Sequence, residues 1–276
     1  MSLKFTKMHG LGNDFMVIDG INQSVSLSST QISHLADRHF GIGFDQLLLV
    51  EKSETSEAMF QYRIYNADGG EVNQCGNGAR CFAQFVRSHG LTQETLIPVQ
   101  TAAGLLKLRV LDDINVEVDM GIPRFEPDLI PLDQPHRQTS YLINENGQEV
   151  EFMALSIGNP HAVILVPDVD AAHVEQVGPL LESHMIFPQR VNVGFMQIVN
   201  RHEFKLRVYE RGSGETLACG SGACAAMAAA HQAKLLDAQA TAYLRGGKLD
   251  LSWLGEGKPV MMTGATATVY EGEIDL

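Results

Sequence analysis

Short runs of alternating apolar and polar residues recur along most of this chain, and such runs read as strands half-buried in a sheet. Residues 4–8 and 14–19 show the pattern around a GLGN turn, followed by 46–51, 59–65, 105–110 and 115–120. The scheme then returns: 153–157, 161–166, 195–200 and 204–210 read as strands, and 249–254 and 265–274 close the chain. Helical spacing is rarer. It appears in TQISHLADRH (30–39), behind a Ser29/Thr30 cap signal, and again over 170–182. Two other segments, GNGARCFAQFVRSHG and GSGACAAMAAAHQAKLL, run from small residues into helices. The first ends at Gly90, a suitable residue just past a helix. The second starts apolar on every side, as a buried helix does.

These two segments belong to a longer internal match. EVNQCGNGARC (71–81) returns as ETLACGSGAC (215–224), placing Cys75 on Cys219 at an offset of 144. The match includes Gly70/Gly214, Glu71/Glu215, Gly76/Gly220, Gly78/Gly222 and Ala79/Ala223. GLGNDF pairs with SIGNPH, setting Asn13 on Asn159, and IGFDQ pairs more weakly with VGFMQ. Three matches in one order indicate duplication. The expected fold is therefore α/β in the α+β sense. Two pseudo-symmetric halves each wrap a curved mixed or antiparallel sheet around one central buried helix. The expected division is residues 1–117 with 264–276, the last strand returning to the first half, and 118–263. The proline-bearing stretch 121–135 reads as a linker.

Composition narrows the function. The 276 residues are 45% hydrophobic and 19% charged, suited to one large domain or two ordinary ones with a real core. No apolar run approaches the roughly 18 residues of a membrane span, and the N-terminus lacks the apolar core of a signal peptide. A formal charge of −13 without basic clusters argues against nucleic acid. The expectations are a cytoplasmic protein, no membrane or nucleic-acid partner, and four reduced cysteines.

Each repeated cysteine precedes Gly-X-Gly at a helix start. The glycines let a ligand approach the backbone. The first-turn N–H groups favour a carboxylate or phosphate, and the same helix end is expected to lower the thiol's pKa. Each turn is thus an anion cradle with a sulfur at its lip. Facing one another, two would grip one small anion between two thiols. The alternatives fit less well. Zinc sites favour closer cysteine pairs than C-x₅-C or C-x₄-C, a redox centre wants C-x-x-C, and a P-loop wants a lysine. Cys81 and Cys224 occupy non-equivalent places in the repeat and read as core residues. No metal site is expected.

The stretches MHGLGNDF, NADGGEVNQCGNGARC, GNPHAV, RVNVGF and YERGSGETLACGSGACA resemble the signatures of the diaminopimelate epimerase family, in order from residue 8 to residue 224. That resemblance implies a cofactor-free isomerase acting on a small-molecule substrate, interconverting L,L- and meso-diaminopimelate on the way to lysine and peptidoglycan. It implies Cys75 and Cys219 as base and acid, with His161 and Glu210 tuning them. The backbone at Gly76, Asn77, Gly220 and Ser221 would hold the α-carboxylate. Asn13, Gln46, Asn66, Asn159, Asn192, Glu210 and Arg211 would supply the other substrate contacts, Arg211 offering a fork to the distal carboxylate. Taken singly, most of these are ordinary turn or strand-end residues; their joint placement in the repeated segments is what points to a site. The alternating last strand, with Tyr270 on it, suggests a homodimer.

Overall fold

The computed structural model describes residues 2–73, 75–145 and 147–276. They divide into two compact units: residues up to Asp119 together with Thr263–Leu276, and Met120–Met262.

The first unit runs β1 (Ser2–Gly10), β2 (Asn13–Asp19), α1 (Ser29–Ala36), β3 (Gln46–Lys52), β4 (Phe60–Asn66), β5 (Glu71–Val72), α2 (Gly76–Ser88), β6 (Leu96–Thr101), β7 (Gly104–Val110) and β8 (Asn115–Asp119). In the second come a 3₁₀ turn (Pro127–Leu129), β9 (Tyr141–Glu145), β10 (Gln148–Ser156), β11 (Pro160–Leu165), α3 (Val174–Glu182), β12 (Asn192–Asn200), β13 (Glu203–Glu210), β14 (Gly214–Thr216), α4 (Gly220–Gln232), β15 (Gln239–Leu244) and β16 (Gly247–Trp253). Strand β17 (Val260–Ala265) follows, and β18 (Ala267–Asp275) pairs antiparallel with β1, inside the first unit.

The duplication is legible in the pairing. β2 runs parallel to β3 and β4 parallel to β6; β11 likewise runs parallel to β12 and β13 to β15. The β3–β4 and β12–β13 pairs are antiparallel, as are the short β4–β5 and β13–β14 hairpins before each cysteine. The sheets are therefore mixed. One helix lies buried in each unit: α2 from Asn77 to Ala83 with Phe85 and Val86, and α4 with Ala223 to Ala230 enclosed. Cys81 and Cys224 sit fully inside these helices, as core side chains.

Several boundaries differ from the pattern reading. Helix α1 is capped by Ser28, one residue before the expected cap. Its hydroxyl accepts the Gln31 N–H at 3.3 Å, and the Gln31 side chain returns to the Ser28 N–H at 3.0 Å. The helix stops at Ala36 because the Asp37 carboxylate takes the N–H groups of His39 and Phe40 at 2.7 and 2.8 Å. Helix α4 ends at Gln232, before a left-handed Lys234 (φ 63°). The stretch 121–135 is no loose linker. Ile130 and Leu132 are buried in the second unit's core with Phe152, Leu181 and Phe195, and Arg124 bridges Ser156 through its backbone.

Candidate active site

In the first unit the chain turns between β1 and β2 through Leu11 (φ 57°) and Gly12 (φ 86°), the two positive angles that a tight hairpin of this hand requires. That turn sets Asn13 at the start of β2. Parallel register places Phe15 beside Gln46, and antiparallel register places Gln46 opposite Asn66. Three polar side chains thus share one end of the sheet. Gln46 Nε2 donates to Asn66 Oδ1 at 2.9 Å, while Asn13 Nδ2 donates to Asp45 Oδ2 at 2.8 Å.

Cys75 arrives at the same end as the N-cap of α2. Its sulfur accepts the Gly78 N–H at 3.4 Å and donates to Asn13 Oδ1 at 3.7 Å, an oxygen that also accepts from Asn77 Nδ2 at 3.2 Å. The helix ladder begins with Ala79 N–H on the Cys75 carbonyl, so the Gly76 and Asn77 amides precede it. Gly78 is glycine for a second reason: a Cβ there would lie 2.4 Å from the Tyr62 hydroxyl.

The second unit repeats the design with different charges. Parallel register pairs His161 with Asn192, and the β12–β13 ladder brings Asn192 to the end of β13, which closes on Glu210 just before Arg211. Asn192 is buried and used internally. Its Oδ1 accepts the Arg211 N–H at 2.9 Å and its Nδ2 donates to the Pro160 carbonyl at 3.2 Å. Cys219 caps α4, accepting the Gly222 N–H at 3.3 Å, with Ser221 Oγ at 3.6 Å. Asn159 Nδ2 reaches Ser221 Oγ at 3.5 Å and Asn159 Oδ1 meets His161 Nε2 at 3.0 Å. With Asn159 so oriented, His161 Nε2 is the donor. Its link to Cys219 runs through Asn159 and Ser221.

Burial pushes the Cys219 thiol well up, and the neighbouring Glu210 carboxylate adds to this; the Ser221 hydroxyl and Gly222 N–H pull the other way with less effect. The lowering expected from the helix end is thus outweighed at Cys219, which is held as a thiol. Glu210 is itself gripped by the Thr216 hydroxyl at 2.5 Å. Burial, with the nearby Arg211 charge, depresses His161 to about 3, leaving a neutral ring. Burial raises Cys81 to about 12, as suits a structural thiol.

The structure therefore gathers Asn13, Gln46, Asn66, Cys75, Gly76 and Asn77 at one end of the first unit's sheet. It gathers Asn159, His161, Asn192, Glu210, Arg211, Cys219, Gly220 and Ser221 at the corresponding end of the second. The sequence reading passed over several neighbours. The repeated glutamates are struts: Glu71 chelates Arg63 (both bonds 2.9 Å) and Glu215 chelates Arg207 (2.7 and 2.9 Å), bracing the hairpin before each cysteine. Both arginines also sit 144 residues apart. Arg80, fully buried, donates to Asn77 Oδ1 at 2.9 Å and to the Gly76 carbonyl at 3.4 Å. The repeat places Cys224 where the first copy has Arg80. That mismatch inside an otherwise matched turn was the signal available.

Among the described residues, no group of three or more His, Cys, Asp or Glu is arranged to hold a metal, and no helix is long and apolar enough to cross a membrane. The family model for diaminopimelate epimerase matches residues 5–126 and 153–269. Over the full length of both chains, this chain is 58% identical to a diaminopimelate epimerase of Nitrosomonas europaea and 57% to one of Chromobacterium violaceum. Among solved structures it is similar to a hydroxyproline epimerase from Agrobacterium vitis (TM-score 0.72, 16% identity, 99% of this chain and 92% of that one). It is also similar to a phenazine biosynthesis protein of the PhzF family from Bacillus anthracis (TM-score 0.70, 15% identity, all of both chains). At such identities these two likenesses concern the fold alone.

Proposed function

This chain belongs to the diaminopimelate epimerase family, and from that premise we propose that it interconverts L,L- and meso-diaminopimelate by a two-base mechanism without a cofactor. The single observation that carries the reading is that Cys75 and Cys219 cap helices in the same way, each accepting the N–H three residues on. Inverting an α-carbon needs a base on one face and an acid on the other. A thiolate at one cysteine and a thiol at the other supply both, and they exchange roles with each turnover.

The amides of Gly76, Asn77, Gly220 and Ser221 bind the α-carboxylate and stabilise the negative charge that develops on it as the proton leaves. Cys219, held as a thiol by burial and Glu210, is the proton donor when Cys75 is the base. Arg211 takes the distal carboxylate through its fork, with Asn13, Gln46, Asn66, Asn159 and Asn192 fixing the amino-acid ends directly or through their neighbours. Asn192 acts on substrate through Arg211, whose backbone it holds.

The enzyme works in the cytoplasm as a homodimer in the supply of lysine and peptidoglycan precursors. Strand β18 is the proposed contact. Tyr270 is 44% exposed and packs edge-on against Phe5, which fixes its ring. Incubating purified protein with L,L-diaminopimelate and resolving the isomers tests the reading. Appearance of the meso form, retained after dialysis against a chelator, is the expected result. No meso product, or activity that returns only with added metal, would overturn it.

A further inference from the structure

Helix α3 ends on Glu182, whose side chain is 3% exposed. A carboxylate that deep is stable only when held, and this one ties three segments together. Arg190 Nη2 lies 2.6 Å from Oε2, the Gly212 N–H donates to Oε1 at 3.1 Å, and the Glu182 carbonyl accepts the Val191 N–H at 3.1 Å. Those segments flank Arg211, whose side chain is exposed. Its own N–H is taken by Asn192, and its guanidinium donates to the Gln189 carbonyl at 2.9 Å.

Two further observations show the arrangement is built. Arg190 stands at φ 61°, a left-handed conformation that a non-glycine residue keeps only when its surroundings impose it. Helix α3 also presses on the strand leading to the turn: a Cβ at Gly178 would lie 2.6 Å from the Tyr209 ring, one residue before Glu210.

We propose that Glu182 is a positioning residue for the 210–212 turn, setting Arg211 for the distal carboxylate and so fixing the enzyme's preference for a substrate with two amino-acid ends. The inference rests on the reading of Arg211 given above. Glu182 touches neither substrate nor sulfur, so its loss falls on KM more than on kcat, and it acts through Arg211.

A double-mutant cycle tests this with Glu182→Gln, Arg211→Ala and the pair, measured on L,L-diaminopimelate. Expected are a KM raised about tenfold by Glu182→Gln with kcat within about threefold, a larger rise for Arg211→Ala, and little further loss in the double variant. Arg190→Gly gives an independent arm, since glycine suits the left-handed backbone and the Arg190 side chain is 54% exposed. It suits the backbone, removes the carboxylate's cation, and should raise KM severalfold. If Arg211→Ala leaves KM unchanged, the reading of Arg211 fails and takes this inference with it. If Arg211→Ala raises KM while both Glu182→Gln and Arg190→Gly leave it unmoved, or if the effects simply add, the positioning role alone is overturned.

Discussion

His161 is enclosed and neutral at a depressed pKa of about 3, which gives acid stability a definite sign. Below about 6.5 the unfolded chain takes a proton on this ring that the folded chain refuses until about 3. Stability therefore falls through that window as pH drops, by up to about 1.4 kcal/mol per pH unit for one proton. Asp14, whose burial would raise it but whose bonds to Arg38 and Lys7 hold it near 2, loses its own contribution as pH falls from about 5 towards 2. Urea titrations between pH 6.5 and about 5.5 read the histidine before the lowered carboxylates contribute. His161→Gln should flatten the pH dependence there, and an unchanged slope would contradict the assignment. The thiols divide just as sharply. Alanine at Cys75 or Cys219 should abolish epimerisation, whereas Cys81→Ala should keep it and cost about 1 kcal/mol of stability. Much of this was legible residue by residue, because the repeat aligned Asn13 with Asn159 and Cys75 with Cys219. The protonation of Cys219 was not: burial and Glu210 outweigh the helix end, and the sequence shows neither the burial nor the distance. Arg80 and Glu182 were hidden for the same reason, since a charged side chain reads as surface until the fold encloses it.

Each cysteine helix depends on the hairpin that delivers it. Glu215 is enclosed (7% exposed) and chelates Arg207, whereas Glu71 (39% exposed) chelates Arg63 nearer to water. Removing the buried carboxylate leaves a partly buried guanidinium short of its partner. Glu215→Ala should therefore cost about 1–3 kcal/mol in chemical denaturation, and Glu71→Ala under about 1. Equal costs would show that burial does not decide the difference. Gly78 tests the other end of the turn. Its Cβ would meet the Tyr62 hydroxyl at 2.4 Å, so Gly78→Ala should cost about 1–3 kcal/mol despite alanine's better helix propensity. Recovery in the Gly78→Ala, Tyr62→Phe double variant would confirm the clash. At this scale the pattern located most strands and both central helices. It passed over β6, broken by Pro98, together with β9, β15 and β17, and the two- and three-residue β5 and β14, whose strand character comes from their partners.

The two units share an order of elements and a backbone solution for a cysteine at a helix start, yet they differ in charge around it. Arg80 lies behind the first turn and Glu210 beside the second. A duplication that had merely preserved a binding loop would not need sulfur in both copies; a reaction that moves a proton from one face of a carbon to the other does. If the last strand forms the proposed homodimer contact, light scattering should find a dimer for the wild type and a shift toward monomer for Tyr270→Ala; a monomeric wild type would end that idea. The two-base mechanism has a sharper test. A thiol carries one proton, so under the proposed mechanism the sulfur that removes the α-hydrogen would not deliver the replacement, which would come from the other, solvent-equilibrated sulfur. The measurement is the isotope content of both isomers early in the conversion of L,L-diaminopimelate in D₂O. The two-cysteine account predicts meso product carrying deuterium at the inverted carbon while recovered substrate stays largely unlabelled. Product that keeps the original hydrogen would contradict it.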